Sequence, residues 1–161
     1  MGAHLRLVRS LPEEVRHQRV AGEWSVVETL RHLLFVYDAW FGRAVLSEAE
    51  PYHRLGLTAA FPDPGDFGLA ADLRPDLDEV LAARKARQDQ LRAHLATMDD
   101  LVLRQPVSTH GIAGFPPVEE RSPLDCVRVI LDEEWAHHRF AVRDLAVLAR
   151  RDLPDVPEPG P

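Results

Sequence analysis

The sequence predicts an all-α protein, a four-helix bundle with long crossover loops and a short first helix. Helix-capping signals begin long segments at Ser25, Asp76 and Ser122, and prolines and glycines separate these segments. Strand signals are nearly absent, because no hairpin dipeptide or long alternating β-branched run occurs. We assign residues 1–153 to a single domain, and expect residues 154–161 to form a flexible, proline-rich tail.

The first two helices of the predicted bundle differ in quality. Residues 3–19 are compatible with helix but contain Pro12, so we predict one short helix or two half-helices. The second helix begins at Ser25, which forms a capping box with Glu28, and runs to about Glu48. Apolar residues lie on nearly every face of this second helix, which indicates that it is buried on several sides.

Two further long helices follow irregular segments. Residues 51–75 contain four prolines and three glycines, so a long crossing loop with at most one short turn of helix is predicted. Helices are then predicted over about 76–98 and 122–151, where Asp-x-x-Glu and Ser-Pro-x-Asp provide the starting signals. Residues 102–121 between them are expected to be irregular, with room for a short strand or hairpin.

Composition restricts the partners and the compartment. The 26 acidic and 19 basic residues give a net charge of −7, so no nucleic acid or anionic membrane is expected as a partner. No stretch approaches the ~20 apolar residues of a membrane span. The single cysteine, Cys126, is predicted to be a small buried hydrophobe, and a reducing, cytoplasmic location is expected. Eighteen arginines against one lysine indicate a GC-rich genome.

The last predicted helix carries an apolar seam with steps of three and four residues, which two polar residues interrupt. The seam consists of Leu124, Val127, Leu131, Glu134, His138, Ala141, Leu145 and Leu148. Glu134 and His138 are four residues apart, so their side chains lie on one face. If His32 of the second helix also points inward, two imidazoles and one carboxylate meet. Such a set leaves an open coordination position, as in catalytic zinc and non-haem iron sites.

Other interpretations of these residues remain open. A buried Glu134 can instead pair with an arginine such as Arg31 or Arg84, and a histidine in the seam can simply donate to a backbone carbonyl. His137 competes with His138 for the ligand position, because it lies three residues from Glu134, which is also a helical spacing.

Several more residues are candidates for contact with a substrate. Arg84 and Gln88 interrupt the apolar stripe of the third helix, and together with His137 they are candidate substrate-binding residues; a salt bridge from Arg84 to an acid is the alternative. His53 and His110 lie in the two long irregular segments and would cover the open end of the site. An exposed loop histidine is the simpler interpretation of both.

Two motifs resemble the DinB/YfiT-like family. WSVVExxxH at 24–32 is similar to the opening of its second helix, and EWAHHRxxxRD at 134–144 is similar to its fourth-helix motif. Many relatives have His-x-x-x-His in the second motif. The Glu-x-x-x-His found here resembles the mycothiol-dependent maleylpyruvate isomerase branch. The resemblance covers about residues 22–150.

The resemblance implies a four-helix bundle in which His32, Glu134 and His138 hold a divalent metal, with Zn²⁺ or Ni²⁺ expected. It further implies a thiol-dependent S-transferase or isomerase with mycothiol as cosubstrate, and an actinobacterial source would fit the arginine-rich composition. The alternatives are a metal-dependent hydrolase or detoxification enzyme that needs no thiol, and a non-catalytic dimeric bundle. A homodimer is expected, because the second helix is apolar on nearly all faces.

Overall fold

The computed structural model describes residues 2–107, 114–117 and 120–151, and this part of the chain is helical. Its only β-structure is one isolated antiparallel bridge between Val107 and Arg121. The all-α prediction is therefore confirmed. The α-helices are α1 (Gly2–Ser10), α2 (Glu13–Arg16), α3 (Val26–Tyr37), α4 (Leu77–Leu95), α5 (Asp100–Arg104) and α6 (Pro123–Arg151).

The N-terminus of α3 is fixed by the predicted capping box. The Ser25 hydroxyl accepts a hydrogen bond from the backbone N–H of Glu28 at 3.3 Å, and the Glu28 carboxylate accepts one from the Ser25 N–H at 2.8 Å. Arg19 also donates to this carboxylate, at 2.6 Å. Burial acts to raise the pKa of Glu28, but the hydrogen bonds from Arg19 and Ser25 lower it to about 2.

After Tyr37 the helix changes type. The prediction of one α-helix to Glu48 is wrong in its second half, because Asp38–Arg43 form a π-helix. Here the hydrogen bonds span five residues, as from the N–H of Ala44 to the carbonyl of Ala39 at 3.1 Å. The π-helix buries the Asp38 carboxylate, which pairs with Arg87 at 2.6 Å. Burial outweighs this pairing and raises the pKa of Asp38 to about 6.

The order of contacts along the helices gives the topology. Leu77 at the start of α4 belongs to the same apolar cluster as Val26 at the start of α3. Beyond the end of α3, the ring of Phe41 lies 5.5 Å from that of His94 near the end of α4. The two helices therefore run parallel, which requires the long crossing loop. That loop contains a single 3₁₀ turn, Pro64–Phe67.

Helix α6 runs antiparallel to α3. Leu145 near its end packs in the cluster around Val26, and Ile130 near its start packs in the cluster around Phe41. Nine of the twelve residues of α3 are buried between α4, α6 and the crossing loop. A single chain therefore accounts for the burial of α3 on nearly all faces. The homodimer is predicted from the apolar faces of this helix, and a second copy is not needed to bury them.

A buried arginine fastens the crossing loop to α3. Arg31 is only 2 % exposed, and its guanidinium donates to four backbone carbonyls. Nε donates to Leu55 at 2.9 Å, Nη2 to Ala70 at 2.7 Å, and Nη1 to Leu73 at 2.6 Å and to Ala71 at 3.2 Å. The side chain thus satisfies backbone acceptors in two distant parts of the loop.

The remaining helix boundaries follow local signals with one exception. Pro12 separates α1 from α2, as predicted, and α6 begins at Pro123 after Ser122, whose hydroxyl accepts from the N–H of Asp125 at 3.2 Å. Asp76 occupies the N-cap position of α4, but its side chain makes no capping hydrogen bond, so the predicted cap is wrong in that detail. The predicted tail, 154–161, lies outside the described residues.

Among the helices described, none is both long and apolar enough to cross a membrane.

Candidate metal centre between α3 and α6

Three side chains of metal-ligand type converge between α3 and α6. His32 projects from α3, and Glu133 and His137 project from one face of α6, since they are four residues apart. One potential ligand atom from each residue lies within 4.8 Å of the other two. The Glu133 Oε2 atom is 3.3 Å from Nε2 of His137 and 3.7 Å from Nε2 of His32. The two imidazole rings are 4.7 Å apart, centroid to centroid.

The crossing loop orients His32. Its Nδ1 lies 3.1 Å from the carbonyl oxygen of Leu57. A carbonyl can only accept, so Nδ1 carries the proton, and Nε2 of the neutral ring presents a lone pair to Glu133. Burial lowers the pKa of His32, and the neighbouring His137 lowers it further, which favours this neutral form. A ligating histidine in a metalloprotein is held in the same way, by a backbone carbonyl on its second nitrogen.

The predicted ligands on α6 differ from this group by one residue. Among the described residues, His32 is grouped with Glu133 and His137, and not with Glu134 and His138. Glu134 faces α4 instead, where it accepts a hydrogen bond from Nη2 of the buried Arg84. This ion pair is the alternative that the sequence left open. One residue on a helix is a rotation of about 100°, enough to turn a side chain from α3 to α4.

The one-residue difference between the predicted and the observed groups arises from the choice of the apolar seam on α6. The predicted seam includes Leu131, but Leu131 is 60 % exposed, whereas Cys126 and Ile130 are buried against α3. Glu133 was missed for this reason. Because Glu133 and His137 have the same four-residue spacing as the predicted pair, spacing alone cannot choose between the two sets. Nothing in the sequence indicates the carbonyl of Leu57.

Aromatic side chains surround the histidines. The ring of Trp24 lies 4.6 Å from that of His32 and 6.2 Å from that of His137. A cavity of about 240 Å³ opens beside His32 and Glu133, and its lining includes Trp24, Phe35, Val36, Trp40 and Phe115. Glu133 itself is 38 % exposed, so the centre is open on one side to a small molecule.

The other candidate residues lie elsewhere. Arg84 and Gln88 line a larger cavity between α4 and α6, to which His137 also contributes. His53 is exposed, and its Nδ1 accepts from the N–H of Leu55 within its own loop. Cys126 is buried as predicted, and burial raises its pKa to about 11, so its thiol is not ionised at neutral pH. His110 lies outside the part of the chain that the structure describes.

Comparison with known proteins gives one result. Residues 3–141 match the DinB superfamily, a range that contains α1 except its first residue, α2 to α5, the crossing loop and α6 as far as residue 141. All three residues of the candidate centre lie within the matched range. No curated protein and no solved structure matches the chain significantly. The family match extends over most of the sequence and agrees with the helical fold, so this chain belongs to the DinB superfamily.

Proposed function

We propose that this chain is a divalent-metal-dependent enzyme whose ion is held by His32, Glu133 and His137. The supporting observation is the arrangement of two acceptors: the lone pair of His32 Nε2 faces the Glu133 carboxylate across 3.7 Å. Two acceptors facing each other repel unless a cation lies between them. Burial disfavours a proton on His32, so a metal ion is the cation that suits the site.

The donor set fits such an ion. Two imidazole nitrogens and one carboxylate oxygen, with one side open, are typical of catalytic rather than structural metal sites. Borderline metals such as Zn²⁺ and Ni²⁺ suit this mixture of donors, and we propose one of these two. Metal binding is also frequent in the DinB superfamily.

We propose a transferase or isomerase reaction that uses a low-molecular-weight thiol such as mycothiol. When bound, the ion would supply Lewis-acid chemistry that ionises a thiol or a water at neutral pH. The buried Cys126 does not serve as nucleophile, so a thiol must come from a cosubstrate. Trp24 and Phe35 would exclude water beside the reacting atoms, and Leu57 keeps His32 in its ligating tautomer. The arginine-rich composition is compatible with an actinobacterial source of mycothiol.

Neighbouring histidines on α6 provide the test of the metal centre. Loss of a group that merely orients a ligand costs about 10- to 100-fold in metal affinity, so His137→Asn, which removes a ligand, is expected to cost more than about 100-fold. His138→Asn is the matched control and should bind metal as the unmodified protein does. Elemental analysis after mild purification gives the metal content of each protein, and competition with a chromophoric chelator gives its metal affinity. An unmodified protein without metal affinity, or a larger loss in His138→Asn, would contradict the proposal.

The thiol requirement is tested separately. The metal-loaded protein is mixed with monochlorobimane, with and without mycothiol. In the expected reaction the thiol sulfur displaces chloride from carbon, the chloride leaves with the bonding electron pair, and the thiol proton goes to the buffer. Fluorescence should rise with the enzyme only when mycothiol is present. Equal turnover in both mixtures would favour hydrolysis without a thiol, and no turnover in either would favour a non-catalytic bundle.

A homodimer is proposed on a different surface from the one that the sequence indicated. Leu131 and Trp135 are 60 % and 66 % exposed and lie four residues apart on one face of α6. Large apolar residues grouped on a surface are typical of protein contacts. If a second copy covers them, Trp135→Glu should convert a dimer into a monomer in light-scattering measurements, whereas Ala93→Glu, an exposed position of α4, should not. A monomeric unmodified protein would contradict the dimer.

A further inference from the structure

A groove of about 610 Å³ lies between α4 and α6 and shares only His137 with the candidate metal centre. Both helices pack on α3, which forms the floor of the groove, rather than closely on each other. Helix α1 contributes Leu5, Val8 and Arg9 at the end where α4 begins. The volume falls within the range of sites for small organic ligands.

The groove has an apolar body and a polar end. Apolar side chains from all four helices line its body: Leu5, Val8, Val26, Leu30, Leu33, Leu81, Val142 and Leu145. Towards the C-terminal half of α4 the lining becomes polar, with Arg84, Gln88 and Arg92 on α4 facing Glu134 on α6. His137 and His138 of α6 also line the groove. Such a cavity suits a molecule with one apolar part and one polar group.

The charge of the lining favours an anion. Its cations are Arg9, Arg84, Lys85 and Arg92, against the anions Asp78 and Glu134, although the whole chain carries −7. Asp78 pairs with Arg9, and Glu134 pairs with Arg84. Lys85 and Arg92 share one carboxylate, that of Asp89, which does not line the groove. A local excess of positive charge therefore remains beside the apolar body.

Arg84 also has unused hydrogen-bonding capacity. It is buried where α4 lines the groove, and its Nη2 donates to Glu134. Its buried Nε has no hydrogen-bond partner in residues 2–107, 114–117 and 120–151. A buried donor without a partner is costly, and a small shift of the guanidinium towards an anionic ligand would satisfy it.

We propose that this groove binds a monocarboxylate with an unbranched apolar chain of about ten carbons. The carboxylate lies at the polar end, near Arg84, Gln88 and Arg92, and the chain lies along Leu30 and Leu81. The α4 lining from Asp78 to Arg92 covers fourteen helical steps, roughly 21 Å, which is long enough for such a chain.

A second copy of this chain suits the groove less well. A symmetric contact between two copies would bring the Lys85 and Arg92 side chains of both copies towards the same interface. Their like charges would repel, whereas a carboxylate neutralises them.

Two alanines of α4 allow a matched test. Ala82 is exposed and lines the groove, and Ala86 is exposed on the same helix outside the lining. Sodium decanoate is titrated into each protein by calorimetry. Ala82→Trp should weaken binding at least tenfold because the indole fills the groove, and Ala86→Trp should bind as the unmodified protein does. No binding to the unmodified protein, or equal binding to both variants, would overturn the proposal.

Recognition of the carboxylate is tested with decanol and with a variant of Arg92, which lies at the polar end of the groove. Decanol should bind at least tenfold more weakly than decanoate, and Arg92→Gln should weaken decanoate binding but not decanol binding. Equal affinities of the unmodified protein for the two ligands would overturn recognition of the carboxylate.

Two further measurements separate this proposal from the others. Glu133→Gln, which alters a metal ligand that does not line the groove, should bind decanoate normally, and Ala82→Trp should retain its metal affinity. If Glu133→Gln abolishes decanoate binding while Ala82→Trp does not, decanoate binds at the metal centre and the groove proposal is wrong. If Ala82→Trp instead halves the molecular mass and decanoate does not bind, a second copy occupies the groove.

Discussion

Arg31→Met is expected to lower the free energy of unfolding by about 3 kcal/mol or more, a large effect for a substitution outside the candidate centre. The guanidinium donates to the carbonyls of Leu55, Ala70, Ala71 and Leu73, and methionine fills the space but donates nothing. These acceptors lose a charged partner, and each one that remains buried costs about 1–3 kcal/mol. Urea unfolding followed by circular dichroism measures the change.

The same variant should also affect the metal centre. The backbone carbonyl of Arg31 accepts from the N–H of Leu57 at 3.2 Å, and the carbonyl of Leu57 holds His32. Once the loop loosens, His32 is less well oriented, and the expected loss of metal affinity is about tenfold or more. Chelator competition on the folded fraction measures it.

Arg54→Met is the matched control for this prediction. Arg54 lies in the same loop, but its side chain is exposed. It pairs at 3.6 Å with Glu79, whose side chain is also exposed. A surface pair of this kind contributes little, so the variant should change stability by less than about 1 kcal/mol and leave metal affinity unchanged. Equal effects of the two substitutions would show that Arg31 does not fasten the loop.

The difference between these two arginines illustrates what the sequence can predict. The capping box at Ser25, the break at Pro12 and the start of α6 at Pro123 depend on residues within a few positions, and all three are confirmed. The π-helix begins at Asp38, whose carboxylate pairs with Arg87, 49 residues further along the chain, and no local pattern indicates this contact. The parallel course of α3 and α4 agrees with the long loop that the prolines and glycines predict.

The ligands of the candidate centre also depend on contacts that no local sequence pattern indicates. The sequence indicates two inward helices and residues of ligand type on each, but α6 faces two different surfaces. Glu133 and His137 meet His32 of α3, whereas Glu134 and His138 line the groove towards α4, to which His137 also contributes. A seam chosen by hydrophobicity favours the second pair, because Leu124, Val127 and Leu131 lead to Glu134 and His138 in steps of three and four. Only the positions of α3 and α4 around α6 decide between them.

The two roles of the adjacent glutamates can be separated by a double-mutant cycle. Glu134→Leu leaves Arg84 buried without its anionic partner, and the expected loss of stability is about 3–5 kcal/mol. Arg84→Met leaves the partly buried Glu134 uncompensated and should cost a similar amount. The double variant replaces a buried ion pair by apolar side chains of similar volume, so its stability should return to within about 1 kcal/mol of the unmodified protein.

Metal affinity gives the second readout of this cycle. If Glu134 pairs with Arg84 and is not a metal ligand, all three variants should bind metal as the unmodified protein does, when metal affinities of the folded fractions are compared. Glu133→Gln should show the opposite pattern, with a large loss of metal affinity and a small change in stability, because Glu133 is 38 % exposed and compensates no buried arginine described here. Loss of metal from the double variant, with its stability restored, would instead return the ligand role to Glu134 and place the ion between α6 and α4.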